Sequence, residues 1–434
     1  MLSAVADRTA YANLLLPRLL TERGIAGRDA ALATELTYGT LRGRATYDAV
    51  LTACSDRRLD RVDPPVREVL RMGAHQLLAT RIGSHAAVAT SVDLAKDVTG
   101  PRASGFVNAV LRRVATRDLG QWLTIVAPPR ESDPAGYLSV RYSYPRWIVD
   151  AFGEALGDAP GGEETEAALA AGNERPSVVL AAVPGAADRA EIMPEGAEPT
   201  RWSPFGFVLP GGDPRDLVST GRAAVQDEGS QLAALALFRA ALDGPDGLWL
   251  DLCAGPGGKA RLLRGLAGGR GARLVASDIH PHRAALVRAA IAPGAVVAAD
   301  GTRIPWREGV FDRVLADVPC SGLGSLRRRP EARWRKSPAD VAALAGLQRE
   351  LLRAAIASAR PGGLVAYVTC SPHVAETREV VEAVVADGGA EVLDAPALLP
   401  EVPGLRSPGP LFAQLWPHRH GTDAIFIAIL RRLA

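Results

Sequence analysis

The stretch Leu248-Trp249-Leu250-Asp251-Leu252-Cys253-Ala254-Gly255-Pro256-Gly257-Gly258-Lys259 decides the fold of the carboxyl-terminal half. Its apolar run ends in an acid, passes through a glycine-rich turn and opens into Ala260-Arg261-Leu262-Leu263, which reads as a helix. Strand, glycine turn and helix begin a nucleotide-binding α/β unit. The glycines let backbone N–H groups approach a ligand closely, and the helix N-terminus adds partial positive charge. Further strand candidates at 273–277, 295–299, 313–316, 364–368 and 424–430 alternate with helical stretches. This rhythm predicts a doubly wound parallel sheet, a Rossmann-like domain over 223–434.

The predicted strands close on acids or cysteines. Asp251 closes the first, and Asp278 closes the second, twenty residues after Gly258. Asp300 closes the third, Asp317-Val318-Pro319-Cys320 the fourth and Thr369-Cys370-Ser371 the fifth. One acid in such a place is often a helix cap. Several in register, on the edge where open sheets bind ligands, point to a polar ligand. The turn Gly255-Pro256-Gly257-Gly258 is neither the G-x-G-x-x-G of dinucleotide enzymes nor a P-loop. A single nucleoside held by successive acids fits S-adenosylmethionine, with its ribose at Asp278, its adenine amino edge at Asp300 and its cationic methionine end at the turn. Lys259 stands out because the chain has three lysines (Lys96, Lys259 and Lys336) against 47 arginines. A point-charge cation is wanted there, either to support the turn or to meet the methionine carboxylate.

Cys320 and Cys370 supply a reaction. A thiolate is a strong nucleophile once its pKa is lowered or a base is near. C5 of cytosine is too weak a nucleophile to take a methyl group directly. Thiolate attack on C6 makes C5 enamine-like; methyl transfer follows, and a base then removes the C5 proton to expel the enzyme. Asp317 is suited to hydrogen bond or share a proton at N3. In an arbitrary sheet two such cysteines are more often buried and inert, so the reading needs support from elsewhere in the chain.

Residues 1–125 read as helix after helix. Asp63-Pro64-Pro65 supplies a cap and a first-turn proline, and Val66, Val69, Leu70 and Leu77 follow at helical spacing. Phe106, Val107, Val110 and Leu111 form an amphipathic stripe ending in Arg112-Arg113. Val126-Ala127-Pro128-Pro129-Arg130-Glu131-Ser132-Asp133-Pro134 has the composition of a linker. Beyond it, a helix beginning near Tyr144-Pro145-Arg146-Trp147 and strand candidates at 177–183 and 205–209 predict a small α+β domain.

A chain of 434 residues accommodates two or three domains, and 47% hydrophobic with 23% charged residues is a globular composition. No apolar stretch approaches membrane-spanning length, and Met1-Leu2-Ser3-Ala4-Val5-Ala6-Asp7-Arg8 is not a signal peptide. A cytoplasmic protein without a membrane partner is expected. The net charge of +2 does not by itself argue for nucleic acid. Residues 151–200 nevertheless hold ten acids and two arginines, which leaves cations in excess elsewhere. Cys54, Cys253, Cys320 and Cys370 lack C-x-x-C spacing, so neither a disulfide framework nor a metal site is expected. Nothing demands an oligomer. Arg327, Arg328, Arg329, Arg333, Arg335 and Lys336, with Trp334 among them, follow Cys320 and are suited to phosphate contacts and base stacking.

Two sets of motifs carry a family resemblance. Glu35-Leu36-Thr37-Tyr38-Gly39-Thr40-Leu41-Arg42, Arg71-Met72-Gly73-Ala74-His75-Gln76-Leu77-Leu78, His85-Ala86-Ala87-Val88 and Gly105-Phe106-Val107-Asn108-Ala109-Val110-Leu111-Arg112-Arg113 resemble the NusB-type RNA-binding helical domain. Asp317-Val318-Pro319-Cys320-Ser321-Gly322-Leu323-Gly324 and Tyr367-Val368-Thr369-Cys370-Ser371 resemble the paired signatures of RNA 5-methylcytosine methyltransferases. Val225-Gln226-Asp227-Glu228-Gly229-Ser230-Gln231-Leu232 and Trp416-Pro417-His418-Arg419-His420-Gly421-Thr422-Asp423 extend that likeness through the catalytic domain. The combination resembles the RsmB (Sun/Fmu) branch, which methylates a cytosine of small-subunit (16S) ribosomal RNA.

The resemblance implies a NusB-like all-α domain at 1–130, a small α+β, RNA-recognition-like domain at 135–222, and an S-adenosylmethionine-dependent methyltransferase domain at 223–434. It implies Cys370 as nucleophile and Cys320 as the partner aiding product release, with Asp317 at the base. Cys253, Ala254, Gly255, Pro256, Gly257, Gly258, Lys259, Asp278, Asp300 and Asp317 are implied as the S-adenosylmethionine site. The chain departs from the family where Ala260 replaces a common threonine, Val318 a commoner alanine, and Ala181-Ala182-Val183 the usual Arg-Val-Asn. An inactive RNA-binding assembly factor, a nicotinamide dehydrogenase and a Cys–His hydrolase fit less well. The cysteines and acids are intact, the turn lacks the third-glycine spacing, and no histidine sits at an evident strand end.

Overall fold

Helical spacing in the amino-terminal third becomes helices. The computed structural model describes residues 1–7, 9–211, 213–406 and 409–434, and its contacts divide the chain into two units. The first comprises Met1–Gly153, Asp158–Glu174 and Leu326–Arg335; the second comprises Glu154–Gly157, Arg175–Ser325 and Lys336–Ala434. Among the described residues no helix is long and apolar enough to cross a membrane.

The first unit is all helix. Pro64 opens the helix Pro64–Ala79, as its fixed φ and missing N–H favour. Asp63 occupies the cap position, yet its side chain makes no cap bond. Val66, Val69 and Leu70 pack with Leu51, Val107 and Leu111 in the unit's core. The matched strings are largely packing. A Cβ on Gly39 would lie 2.2 Å from the His75 ring, and His75 Nδ1 lies 2.9 Å from the Tyr47 hydroxyl. Arg71 is buried between Asp48 and Glu68, at 2.6 and 2.5 Å. The proline-rich stretch expected as a linker joins the helices Leu119–Val126 and Pro134–Tyr142 inside this same unit.

The second unit holds two sheets. In the smaller, β1 (Val178–Ala182), β2 (Glu198–Pro199), β3 (Gly206–Leu209) and β4 (Ala223–Val225) lie antiparallel in the order β2-β3-β1-β4. The small α+β domain expected at 135–222 is thus divided. Its helices before Glu174 pack with the first unit, and its sheet belongs to the second.

The larger sheet contains β5 (Leu248–Asp251), β6 (Arg273–Asp278), β7 (Ala295–Ala298), β8 (Phe311–Asp317), β9 (Ala359–Thr369), β10 (Ala390–Leu393), β11 (Ala413–Gln414) and β12 (Phe426–Arg432). Its order is β10-β12-β9-β8-β5-β6-β7, with β11 on β12. The strands β7-β6-β5-β8-β9 are parallel, as expected. β12 runs antiparallel to β9, and β10 antiparallel to β12, so the sheet is mixed rather than all-parallel. The chain enters β12 at the carboxyl end of β9. There Asp227 accepts the Asp423 N–H, and Ala424 N donates to the Gly324 carbonyl at 3.0 Å. Starting from that edge, the strand has to run back.

Candidate active site

β5 delivers Asp251 to the carboxyl edge of the sheet, fully buried. Neither of its carboxylate oxygens has a hydrogen-bond partner among the described residues. Burial, and then the Asp317 carboxylate, push its pKa up to about 8, against the opposing pull of Lys259. The next residues form the turn. Gly255 and Gly257 adopt φ of 56° and 95°, a region that side chains rarely tolerate, and Gly257 caps the helix Gly258–Gly269. A Cβ on Gly257 would also come within 3.3 Å of the Val287 backbone.

Asp278 braces this turn. Its carboxylate accepts the Gly255 N–H at 3.0 Å and the His280 N–H at 2.8 Å. Asp300 is exposed beyond β7 and accepts both the backbone N–H and the hydroxyl of Thr302, which hold its pKa below the usual carboxylate range. Lys259, expected either to support the turn or to meet the methionine carboxylate, donates from Nζ to Asp317 Oδ2 at 2.7 Å. Burial opposes the lysine charge, but Asp317, with help from Cys370 and Asp251, holds its pKa above the ordinary value. The first turn is thereby tied to the end of β8.

β8 and β9 are parallel neighbours with Asp317 opposite Val368, so the loops that follow them emerge side by side. Cys320 Sγ and Cys370 Sγ lie 3.2 Å apart. The hydrogen bond to Cys370 and then burial push the Cys320 thiol well above its ordinary value. Gly324 donates its N–H to the Cys370 carbonyl at 2.8 Å. A side chain there would meet the Ala424 carbonyl oxygen at 1.9 Å. Cys253 belongs to the turn, where burial raises its thiol pKa, and Cys54 is buried in the helical unit.

The basic run after Cys320 reads differently in three dimensions. Arg333 is fully buried in the helical unit. It donates to the carbonyls of Arg42, Ser143 and Gly172, to Asn173 Oδ1 and to the Tyr144 hydroxyl. Arg335 donates to the carbonyls of Val5 and Ala10, and Arg44 stacks over Trp334. Arg333 and Arg335, expected as phosphate contacts, are structural. One residue went unnoticed in the sequence: Glu376, buried six positions after Cys370, bonds to the residues that follow both cysteines. A carboxylate just past a strand-end motif was the available signal.

Residues 241–431 match the family model of the 16S rRNA methyltransferase RsmB/F, and residues 1–116 match that of the NusB family. Ribosomal RNA small subunit methyltransferase B of Pseudomonas putida is 34% identical over 450 residues, which cover 100% of this chain and 97% of that protein. The chain belongs to the RsmB family. It is an S-adenosylmethionine-dependent RNA cytosine-5 methyltransferase. A Mycobacterium tuberculosis protein, named as a methyltransferase without a stated substrate, is 53% identical over 439 residues, covering 100% of this chain and 95% of its own. The crystal structure of PH0851 shares the fold with a TM-score of 0.78 at 22% identity, covering 99% of this chain and 97% of that one.

The residues at the RsmB turn suit the cofactor. Asp251 offers a buried carboxyl group, without a hydrogen-bond partner among the described residues, that a cationic ligand would favour in its ionised form. Gly255 and Gly258 have nothing within 4 Å of where a Cβ would stand, which leaves the turn open to close approach. Acids follow at the ends of the next two strands, as recognition of a nucleoside's hydroxyl and amino groups requires.

Proposed function

We propose that the chain methylates C5 of a cytosine in small-subunit ribosomal RNA through a covalent bond between Cys370 Sγ and C6. The two sulfurs 3.2 Å apart at the ends of β8 and β9 carry this reading. The bound cofactor would be held by Cys253, Ala254, Gly255, Pro256, Gly257, Gly258, Asp278 and Asp300, with Lys259 and Asp317 beside it, and supplies an electrophilic methyl group. The remaining steps fall to the chain. The raised Cys320 thiol keeps its proton, and Cys370, 3.2 Å from it and in electrostatic interaction with Lys259, is the nucleophile. Its thiolate bonds to C6, and electron density moves towards C5 and N3, where Asp317 hydrogen bonds with the base. After C5 is methylated, the C5 proton leaves, the C6–Sγ bond breaks and the thiolate returns to Cys370. Cys320 aids this release. The chief cause of its raised pKa is its bond to Cys370, and that cause is gone while Cys370 Sγ is bonded to C6. With that cause gone the Cys320 thiol ionises more readily: it gives its proton to solvent and, as the thiolate, takes the C5 proton.

The target base has to be unpaired or flipped out to reach half-buried sulfurs. RNA binding is assigned to the NusB-like domain at 1–130. Methyl transfer from labelled cofactor to unmodified small-subunit rRNA, followed by base analysis, tests the function. We expect 5-methylcytosine, and its absence overturns the reading. Cys370→Ala abolishes transfer without trapping RNA. Cys320→Ala accumulates a denaturant-resistant protein–RNA adduct that disappears in the double variant; the reverse pattern means that the two roles are exchanged.

A further inference from the structure

Behind the two sulfurs lies a carboxylate that this reaction does not use. Glu376 ends the short turn Val374–Glu376 and is fully buried. Its Oε1 accepts the backbone N–H of Ser321 at 2.7 Å and Gln348 Nε2 at 3.2 Å. Its Oε2 accepts the hydroxyls of Ser321 and Ser371, at 2.5 and 2.7 Å. Ser321 directly follows Cys320, and Ser371 directly follows Cys370. Gln348 also donates to the carbonyl of Pro319, just before Cys320, at 2.8 Å. The Glu376 carbonyl in turn accepts the Tyr367 hydroxyl at 2.7 Å, which ties the turn back to β9.

A buried carboxylate is costly unless donors surround it. Here all four donors come from the two cysteine loops and from the helix Pro338–Ser358 beside them. An ionised carboxylate is acceptor-only and matches four donors; an amide would turn its own N–H against one of them. We propose that Glu376 is a positioning residue that clamps the Cys320 and Cys370 loops together and sets the separation of their sulfurs. This inference rests on the cysteine roles given above. The groups facing Cys320 are Cys370, Glu376, Asp317 and Tyr367, and the charge on Glu376 is among those that oppose its ionisation.

The test uses the full chain with cofactor and unmodified rRNA. Glu376→Gln lowers kcat by about tenfold to a hundredfold, the scale of a small misplacement of reacting groups. The KM for cofactor stays unchanged, and protein–RNA adduct accumulates as Cys320 loses its place beside Cys370. The limb of the pH–kcat profile that reports Cys320 moves to lower pH, because a negative charge behind that thiol is gone. Ser321→Ala and Ser371→Ala combined give the same adduct accumulation, and adding them to Glu376→Gln brings little further loss. If Glu376→Gln fails to fold by thermal melting, the serine pair carries the test. Folded variants that turn over like the wild type, with an unmoved pH profile, overturn the clamp and leave the cysteine roles standing. A wild-type chain that makes no 5-methylcytosine overturns the function and the clamp together.

Discussion

At the scale of single residues, the acids at the strand ends do different work. Asp278 spends its two oxygens on the backbone N–H groups of Gly255, in the turn, and of His280, whereas the two oxygens of Asp251 lie in the interior without a hydrogen-bond partner among the described residues. That isolation has a measurable consequence. Its carboxyl pKa stands at about 8 in the folded chain against 3.8 in the absence of the fold. A raised value means that the folded state holds the proton more tightly. The associated stability is full below about pH 4 and is lost as pH rises through 8. Thermal melting of the cofactor-free protein should therefore show a Tm falling from pH 5 to pH 9, and Asp251→Asn should flatten that fall. An unchanged slope in the variant would place the titration elsewhere. Lys259 was conspicuous in a chain that prefers arginine, and its partner is now explicit. Its ammonium bridges the turn to Asp317, which no inspection of spacing could have assigned, because 58 residues separate the two.

At the scale of elements, the catalytic pair depends on register. β8 and β9 come from distant parts of the chain, and only their parallel pairing, Asp317 opposite Val368, sets Cys320 beside Cys370. Gly324 then locks the loop: its N–H holds the Cys370 carbonyl, and its carbonyl holds Ala424 at the entrance to β12. Gly324→Ala drives a methyl group into the Ala424 carbonyl oxygen. We expect a loss of about 2 kcal/mol in denaturant unfolding, the scale of overpacking a tight site, together with slowed methyl transfer. Stability and activity equal to wild type would show that the loop gives way at no cost. The strand candidates from 248 to 368 were legible because buried parallel strands are continuous apolar runs. β10 and β11 were not, since four and two residues bear no period to detect. The direction of β12 was not legible either, because apolar runs carry no sign of which way they pair.

At the scale of the whole molecule, contacts group the chain differently from its order. Leu326–Arg335 follows the Cys320 loop in sequence and folds with the helical unit. Arg333 is the centre of that segment, stacked 3.6 Å over Tyr144 and surrounded by carbonyl oxygens. Burial pushes its guanidinium pKa down to about 10, so it stays charged at neutral pH. Arg333→Met leaves those carbonyls without a donor and should cost about 3 kcal/mol in unfolding of the protein. Arg333→Lys should restore little, because an ammonium cannot reach acceptors spread around a planar fork. If Arg333→Met is as stable as wild type and instead weakens RNA binding, the residue is a phosphate contact after all. A run of arginines is the same string of letters whether it faces solvent or fills a core, so its composition alone suits RNA as well as carbonyl oxygens.

What the sequence determined by itself was chemistry and local form. The apolar run ending at Asp251, the positive-φ glycines and the helical spacing of the first 125 residues express short-range sterics and periodicity, and these are written in neighbouring residues. Motif resemblance added the family. Tertiary structure alone decided which groups meet: Lys259 with Asp317, Cys320 with Cys370, Glu376 with the loops behind both sulfurs, and Arg333 with the helices. Each of these pairings spans a long sequence separation or depends on strand register. Their energies arise from burial and from donors matched to acceptors, quantities that exist only once the chain has closed around them.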